Sequence, residues 1–361
     1  MRKSAGSLLG VALLMLFVIT GCSGSVKEQE TTENIVAEET SIDSYATKKI
    51  GICIYQSSDN FMTLFSQSLV EYLKSQGFSE DNIFVYGSSN NQSIQLTQVK
   101  ELVEQNVDAL IINPVNSSIV SEMTDIGVEN GIPLVYINRE PGAEEESRWE
   151  EYDFDVCYVG CDARQSGIYQ GELLIDIGKD KLDRNGDGVI QYYMIEGAPE
   201  NIDAGYRTKY SISTVDNAGI KMDCILDKVA NWDKVTAKLV IQNGLKKNPA
   251  PEVIICNNDA MALGALEAVE EAGLVAGKDV YVVGVDALPE AIEKVIDGSL
   301  AGTVFNDFIT QSRSAADAAI RYIGGDSNEH YIGCDYIKVT ADNADTVKGW
   351  IENLQTDIQP N

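Results

Sequence analysis

Short apolar runs along this chain are repeatedly followed by carboxylate, carboxamide or guanidinium side chains. A carboxylate accepts hydrogen bonds, an amide donates and accepts them, and a guanidinium donates through a planar fork. These groups match the hydroxyls of a hexose, whose flat faces pack on aromatic rings such as Phe61 and Trp232. The polar positions are Asp59-Asn60-Phe61, Asn113, Asn138-Arg139, the segment 201–207, Asn231-Trp232-Asp233, Asn257-Asn258-Asp259, Asp286 and Asn306-Asp307.

Each of these residues could instead cap the helix that follows it, because Asp and Asn are common helix N-caps. We expect Asn257 and Asp259 to be caps of this kind. Four other residues recur at matched positions in two halves of the chain, which favours a ligand role over a cap. These four are Asp59, Asn138, Asn258 and Asp286.

The residues of common catalytic sites do not assemble in this sequence. The one histidine, His330, follows a glycine-rich turn, so neither a Ser-His-Asp nor a Cys-His arrangement can be built. The first apolar run leads into residues 56–59 and not into a G-x-G-x-x-G motif, which argues against a dinucleotide site. Asp59 and Asp286 could form the carboxylate pair of a glycosidase. Two regions rich in planar amides are more typical of binding, so we expect no enzymatic activity.

The segment from residue 183 to residue 191 has the spacing of a calcium-binding loop. Oxygen-bearing side chains stand at positions one, three, five and nine, glycine stands at position six, and a backbone carbonyl is available at position seven. The corresponding residues are Asp183, Asn185, Asp187, Gln191, Gly188 and Val189. Met194 occupies position twelve, where a bidentate Glu is usual. A turn rich in Asp, Asn and Gly that binds no metal is the alternative.

Strand-like and helix-like segments alternate from residue 50 onward, which is typical of a parallel sheet covered by helices on both faces. The order repeats: 107–113 parallels 251–257, and 131–138 parallels 278–286, each segment being an apolar strand that ends in Asn or Asp. The sequence therefore predicts an α/β fold of two similar doubly wound parallel-sheet lobes joined by a hinge. Ligands of such sheets lie beyond the carboxyl ends of the strands, where the polar residues fall.

The first 48 residues differ from the rest. Residues 1–21 combine a basic start with an apolar run that is short for a membrane span, which is typical of a secretory signal peptide. They lead into Ile19-Thr20-Gly21-Cys22, which resembles the lipobox of bacterial lipoproteins and implies that Cys22 is lipidated. A simple signal peptide with a chance cysteine is the alternative. Residues 22–48 are rich in Ser, Thr and Glu and predict a flexible tether.

Several segments resemble the glucose/galactose-binding members of the type 1 periplasmic binding protein family, as does the segment 183–191. They are Asp59-Asn60-Phe61-Met62, Asn258-Asp259-Ala260-Met261, the stretch 284–291 and the stretch 301–307. The resemblance runs from about residue 50 to residue 347 with the motifs in the same order. It implies two lobes that close on a hexose, glucose or galactose, and present it to an ABC permease.

The resemblance also implies which residues bind. The implied hexose ligands are Asp59, Phe61, Asn138, Asn201, Asp203, Arg207, Trp232, Asn258, Asp286 and Asn306, with the two aromatic rings on either side of the sugar. The implied ligands of a structural Ca²⁺ are Asp183, Asn185, Asp187, the carbonyl of Val189 and Gln191, completed by Glu252. Asn201 stands where the family has a histidine, which leaves the preference between glucose and galactose open.

We expect residues 49–158 and 306–336 to form an N-terminal lobe, and residues 159–305 and 337–361 to form a C-terminal lobe. The net charge of −29 argues against nucleic-acid partners and against anionic membranes. We expect a monomer outside the cytoplasm, held at the outer face of the cell membrane only by its lipid. The alternative role is a sugar sensor that signals to a chemoreceptor or a sensor kinase.

Overall fold

The computed structural model describes residues 45–248 and 251–357. The strands in these residues are β1 (Ile50–Ile54), β2 (Ile83–Gly87), β3 (Ala109–Ile112), β4 (Leu134–Ile137), β5 (Val156–Cys161), β6 (Ile190–Glu196), β7 (Met222–Val229), β8 (Val253–Cys256), β9 (Tyr281–Val283), β10 (Thr303–Asn306), β11 (Tyr331–Cys334) and β12 (Tyr336–Val339).

The helices alternate with these strands. They are α1 (Asn60–Ser75), α2 (Gln92–Glu104), α3 (Val120–Glu129), α4 (Ala143–Tyr152), α5 (Ala163–Ile177), α6 (Lys179–Leu182), α7 (Ile202–Asn217), α8 (Lys234–Lys247), α9 (Asp259–Glu271), α10 (Pro289–Ile296), α11 (Phe308–Ile323) and α12 (Ala344–Asp357). None of the described helices is long and apolar enough to span a bilayer.

Two open sheets carry the fold. The first has six parallel strands in the order β11-β5-β4-β3-β1-β2. The second has four parallel strands in the order β7-β6-β8-β9, extended past β9 by isolated bridges to the antiparallel pair β10-β12. The central strands β1, β3, β4 and β8 are buried along their whole length, as expected for strands covered on both faces. This architecture confirms the predicted α/β fold with two lobes.

Three connections link the sheets. The chain leaves the first sheet after β5, returns to it after β10, and leaves it again between β11 and β12. The return begins with α11, which packs on α1 of the first sheet through a 2.6 Å hydrogen bond between the Ser68 and Ser312 hydroxyls. The first sheet therefore takes strands from two separate stretches of chain, as does the second.

The asparagines at the repeated strand ends make equivalent hydrogen bonds in the two halves. Asn113 follows β3, and its side chain accepts from the backbone N–H of Tyr55 and donates to the carbonyl of Ile137. Asn257 follows β8, and its side-chain oxygen accepts from the backbone N–H of Gly197. Both amides are fully buried, and each holds the carboxyl end of a neighbouring strand in place. They fix the edge of each sheet on which the polar residues gather.

The last residues of the predicted tether contact the folded part. Tyr45 stacks on Phe78 with ring centroids 5.1 Å apart, and Lys48 forms a 2.8 Å ion pair with Asp108. The predicted signal peptide, Cys22 and the rest of the tether lie outside the described residues.

Candidate ligand-binding site

A cavity lies at the carboxyl ends of the strands of both sheets. We call it the first cavity. All ten residues predicted to bind a hexose line it, together with three that were not predicted. The lining residues are Tyr55, Asp59, Phe61, Met62, Asn138, Arg139, Asn201, Asp203, Arg207, Trp232, Asn258, Asp286 and Asn306.

Asp59 combines a cap with a place in the cavity wall. It precedes α1, and its Oδ1 accepts from the backbone N–H of Met62 at 2.8 Å. Its Oδ2 accepts from the hydroxyl of Tyr55 at 2.5 Å. The cap fixes the side-chain rotamer, and the hydroxyl fixes the carboxylate plane, so the remaining acceptor capacity of Asp59 points in a set direction.

Asn138 and Asp286 occupy equivalent places in the two halves. Asn138 follows β4 with φ of 64°, and Asp286 follows β9 with φ of 119°. Non-glycine residues seldom adopt positive φ, and Asn and Asp do so more readily than most. The Oδ1 of Asn138 accepts from the Asn113 amide at 3.2 Å, so its Nδ2 is left as the donor for the cavity.

Arg207 is the buried cation of the second sheet's wall. It lies on α7, is 4% exposed, and donates to the carbonyl of Asn257 at 2.7 Å and to the Tyr336 hydroxyl at 3.2 Å. One guanidinium nitrogen lies 3.8 Å from Oδ1 of Asp286. Its Nε is buried and has no hydrogen-bond partner in the described residues, so the fork is held firmly with one N–H still to be satisfied.

The two carboxyls beside Arg207 titrate far from their usual range. Burial raises the pKa of Asp286 to about 7; Arg207 opposes this shift, and Asp59 across the cavity adds to it. Burial likewise raises the pKa of Asp203 to about 6, again opposed by Arg207. Burial works against the charge on Arg207 itself, but Tyr336, Asp286 and Asp203 together raise its pKa.

Both aromatic residues predicted to bind the sugar, Phe61 and Trp232, line the cavity. Phe61 is 6% exposed and meets Phe308 edge-on with ring centroids 6.4 Å apart. Trp232 has φ of 66° and lies against Gly197, where an added Cβ would come within 2.1 Å of the indole. Only glycine at 197 leaves room for the ring. The indole N–H of Trp232 is buried without a partner in the described residues.

Three amides complete the wall. Asn201 caps α7 by accepting from the backbone N–H of Asp203 at 3.0 Å, and Asn258 caps α9 by accepting from the backbone N–H of Met261 at 2.9 Å. Asn306 ends β10, where the chain returns to the first sheet, and its amide lies 3.5 Å from Oδ1 of Asp286. Each cap uses only the amide oxygen; the amide nitrogen of Asn258 donates to the carbonyl of Trp232 at 3.4 Å.

The expected caps at Asn257 and Asp259 are wrong, because Asn258 between them caps α9. Asp259 is fully buried, and its carboxyl accepts from the Thr303 hydroxyl at 2.7 Å and from the backbone N–H of Leu288 at 2.9 Å. Asn257 ties β8 to the segment after β6. Neither residue lines the first cavity, so both have structural roles.

Tyr55, Met62 and Arg139 are the three wall residues that were not among the predicted hexose ligands. The guanidinium of Arg139 lies 3.6 Å from the centroid of the Tyr55 ring and donates to the carbonyls of Pro114 and Val115. Tyr55 in turn holds Asp59. The spacing from Tyr55 to Asp59, four residues across a strand end, was the available signal.

The loop from residue 183 to residue 191, called the metal loop below, connects α6 to β6 and is folded by its own side chains. Gly186 and Gly188 have φ of 73° and 88°, which lets the chain turn sharply. Asp183 Oδ2 accepts from the backbone N–H of Gly188 at 2.9 Å, and Asp187 Oδ1 accepts from that of Val189 at 2.9 Å.

Glu252 reaches the metal loop from outside it, just before β8. It is 4% exposed, and its Oε1 accepts from the backbone N–H groups of Arg184 at 2.6 Å and Asn185 at 3.1 Å. Its Oε2 accepts from the backbone N–H of Gln191 at 3.0 Å. The residue predicted to complete the calcium shell therefore contacts both ends of the loop.

The six predicted metal residues thus lie together, and their donors are all oxygens, which suits a calcium ion. Oδ1 of Asp183 is buried and has no hydrogen-bond partner in the described part of the chain, so it is free to bind a cation. No three His, Cys, Asp or Glu side chains of the described residues form a metal cluster by themselves. A cation here would depend on the amide and carbonyl oxygens of Asn185, Val189 and Gln191.

The two-sheet fold and the cavity at its strand ends define a class of binding protein. The periplasmic binding protein domain matches residues 50–327. The chain belongs to the periplasmic binding protein family, whose members bind small molecules outside the cytoplasm.

Among its relatives is the D-galactose/methyl-galactoside binding periplasmic protein MglB of Haemophilus influenzae, which is 37% identical over 286 residues, 78% of this chain and 83% of that protein. The ribose import binding protein RbsB of Bacillus subtilis is 26% identical over 323 residues, covering 88% and 92% of the two chains. A solute binding protein from Actinobacillus succinogenes with bound D-allose shares the fold, with a TM-score of 0.74 at 23% identity over 83% of this chain and 99% of the other.

Proposed function

We propose that this protein binds a hexose, glucose or galactose, in the first cavity and delivers it to an ABC importer. The observation that carries the proposal is the convergence of three carboxylates, four amides, two guanidinium groups and three aromatic rings on one cavity at two sets of strand ends. The hydroxyls of a pyranose can satisfy each of these polar groups, and the rings suit its flat faces. The similarity to a galactose-binding protein over most of both chains supports a hexose over other polyols.

Ligand binding in this site favours the closed arrangement of the two sheets. Asp59 belongs to the first sheet and Asp286 to the second, and the charge of Asp59 raises the pKa of Asp286. Two ionised carboxylates facing across an empty cavity repel each other, which opposes closure. Sugar hydroxyls that donate to both remove this penalty, so the sugar binds the closed state more tightly than the open one and shifts the population towards it.

Titration calorimetry of the folded protein with a panel of monosaccharides tests the proposal. We expect glucose or galactose to bind most tightly, with pentoses and acidic sugars weaker. The absence of heat and of any rise in melting temperature with every hexose would overturn it. Stimulation of the ATPase activity of an importer in vesicles by the loaded protein, and not by the empty one, tests delivery.

The proposal includes a structural Ca²⁺ in the metal loop, supported by the unpartnered oxygen of Asp183 and by the position of Glu252. Such an ion would supply positive charge to a loop whose acidic side chains otherwise bond to backbone N–H groups and to the Gln191 amide. Thermal unfolding with and without EGTA tests this point. An unchanged melting temperature would count against calcium without affecting the hexose assignment.

The proposal also includes lipidation at Cys22, which rests on the sequence alone. A lipid anchor outside the cytoplasm would keep the binding protein next to its importer. Metabolic labelling with a fatty-acid analogue, compared with a Cys22→Ala variant, tests it. Labelling that persists in the variant would place the modification elsewhere.

A further inference from the structure

A second, larger cavity adjoins the first. The two cavities share four wall residues, Tyr55, Asp59, Arg139 and Trp232. They are therefore neighbouring parts of one cleft between the sheets. A ligand held in the first cavity would meet the second wherever it carries a substituent on the side of this shared wall.

The remaining wall of the second cavity comes from both sheets. The first sheet contributes the residues after β1 and β2, which are Gln56, Ser58, Asp59, Asn60 and Asn90. The second sheet contributes the residues after β6, β7 and β8, which are Ala198, residues 231–234 and Ala260. A group seated there would bridge the two lobes, as the hexose does. It would therefore add to the preference for the closed state.

The chemistry of this wall selects neutral, hydrogen-bonding groups. Its charges balance, since Asp59 and Asp233 are matched by Arg139 and Lys234. Asp233 is used as the cap of α8, and the ammonium of Lys234 is paired with Glu267 and Glu290, each at 3.1 Å. Asp59 and Arg139 bond to neutral groups of the protein instead, so the described wall carries no net charge that would favour a phosphate, a carboxylate or an amine.

The amide and indole groups of this wall remain available for hydrogen bonds to a ligand. The structure gives the side chains of Asn60, Asn90 and Asn231 no hydrogen-bond partner within the described residues. The indole N–H of Trp232, on the shared wall, is buried and also unpartnered there. Amides that donate and accept match hydroxyl groups, and a buried indole N–H needs an oxygen acceptor.

We propose that the second cavity is a subsite for a second sugar unit, so that the ligand range includes neutral disaccharides that contain the hexose. This rests on the proposed binding of a hexose in the first cavity. The hexose unit occupies the first cavity, the glycosidic oxygen passes the shared wall near Trp232, and hydroxyls of the second unit bond to the free amides.

The backbone at two of these amides permits a clean test. Asn90 and Asn231 have φ of 54° and 52°, so glycine removes each amide side chain while it keeps the conformation accessible. Neither residue lines the first cavity. Asn106, exposed with φ of 55° and in neither cavity, provides the matched Asn→Gly control.

The experiment is titration calorimetry of the wild type, the Asn90→Gly/Asn231→Gly double variant and Asn106→Gly. The probes are glucose, galactose, lactose, melibiose, maltose and cellobiose. We expect at least one disaccharide to bind the wild type within tenfold of the better monosaccharide. The double variant should weaken that disaccharide at least tenfold and the monosaccharide less than twofold, and Asn106→Gly should change neither.

A filling variant provides an independent readout. Ser58 is exposed and lines only the second cavity, so Ser58→Trp should exclude the disaccharide and still admit the monosaccharide. Monosaccharide binding with every disaccharide more than 1,000-fold weaker would overturn the subsite and leave the proposed function standing. Equal loss of both sugars in the double variant would also overturn the subsite. Failure of all six sugars to bind would overturn the hexose function and the subsite with it.

Discussion

The first cavity and the metal loop are built from the same kinds of side chain and use them in opposite ways. At the metal loop, Glu252 accepts hydrogen bonds from three backbone N–H groups of the loop. The carboxylates of Asp183 and Asp187 accept hydrogen bonds from two more. In the cavity, Asp203 and Asp286 are each 4% exposed and have few partners, so burial raises the pKa of both.

The metal loop is therefore an oxygen site whose hydrogen bonds maintain local structure, whereas the first cavity has carboxylates whose hydrogen bonds can still be made by a ligand. Acceptors that are already bonded hold a loop in shape, and an added cation reinforces what is there. Acceptors that are buried and poorly satisfied carry a cost that a matching ligand removes. The two regions should therefore respond to mutation independently, one in sugar affinity and the other in stability.

The largest effect is expected in the cavity. Asp286→Ala removes a buried acceptor and a charge partner of Arg207, so hexose affinity should fall by about 100-fold, or ~3 kcal/mol. Calorimetry measures it, and the calcium-dependent rise in melting temperature should be unchanged. Asp286→Asn, which keeps the shape without the charge, provides the control. An unaltered affinity in Asp286→Ala would remove this residue from the site.

Glu252→Gln should have the complementary effect on the loop. At a calcium concentration of about 100 times the dissociation constant, the wild type gains about 2.7 kcal/mol of stability, and the variant should lose most of that gain. The readout is the difference in unfolding free energy with and without calcium, which cancels the structural cost of the substitution. Hexose affinity at low temperature should stay within twofold. A variant that keeps its calcium response but loses sugar binding would reverse the comparison.

Lower pH should weaken sugar binding and stabilise the empty protein. The pKa values of Asp203 and Asp286 are raised to about 6 and about 7, so both groups bind protons on folding between about pH 4 and pH 7. Their contribution to stability therefore falls as pH rises through that window. Protonation removes the negative charge of each carboxyl group and turns one of its acceptor oxygens into a donor, so hexose affinity should drop by roughly tenfold from pH 8 to pH 5.

Calorimetry in buffers of different ionisation enthalpy should also detect protons released on binding near pH 6.5. An affinity that is flat from pH 5 to pH 8 would mean that the two carboxyls bind sugar equally well in either state.

The smallest effect is expected at Asn201. Replacing it with histidine, the residue that the family resemblance implies at this position, should change the ratio of galactose to glucose affinity by less than tenfold. It should also cost about 1 kcal/mol of stability through the lost cap of α7. Asn91→His removes the equivalent cap of α2 away from the first cavity and isolates that cost. A change beyond 100-fold would make residue 201 the main determinant of specificity.

Much of the cavity could be predicted because its residues follow strands. Apolar runs that end in Asn138 or Asp286 place polar side chains at the same edge of parallel sheets, whatever the packing elsewhere. The same pattern included Asn201 and Asn306, and the resemblance gave these two residues their expected role as ligands. All four line the first cavity.

The missed residues were those whose role depends on a tertiary contact. Tyr55 follows β1 directly and continues its apolar run in the sequence, but its hydroxyl donates a hydrogen bond to Asp59. A helix cap and a place in the site are not exclusive, because Asn258 caps α9 and also lines the first cavity. The buried carboxyl of Asp259 accepts hydrogen bonds from Thr303 and Leu288. Both partners are distant in sequence, so no local pattern predicts these bonds.

The positive φ angles at Asn138 and Asp286 restrict how this site can evolve. Glycine, asparagine and aspartate are the residues that adopt such angles most readily, and glycine would leave no side chain to bind with. The accessible changes at these two positions therefore exchange an amide for a carboxylate, one atom for another on the same scaffold. Ligand preference could drift through the charge and polarity of these positions while the shape of the backbone stays constant.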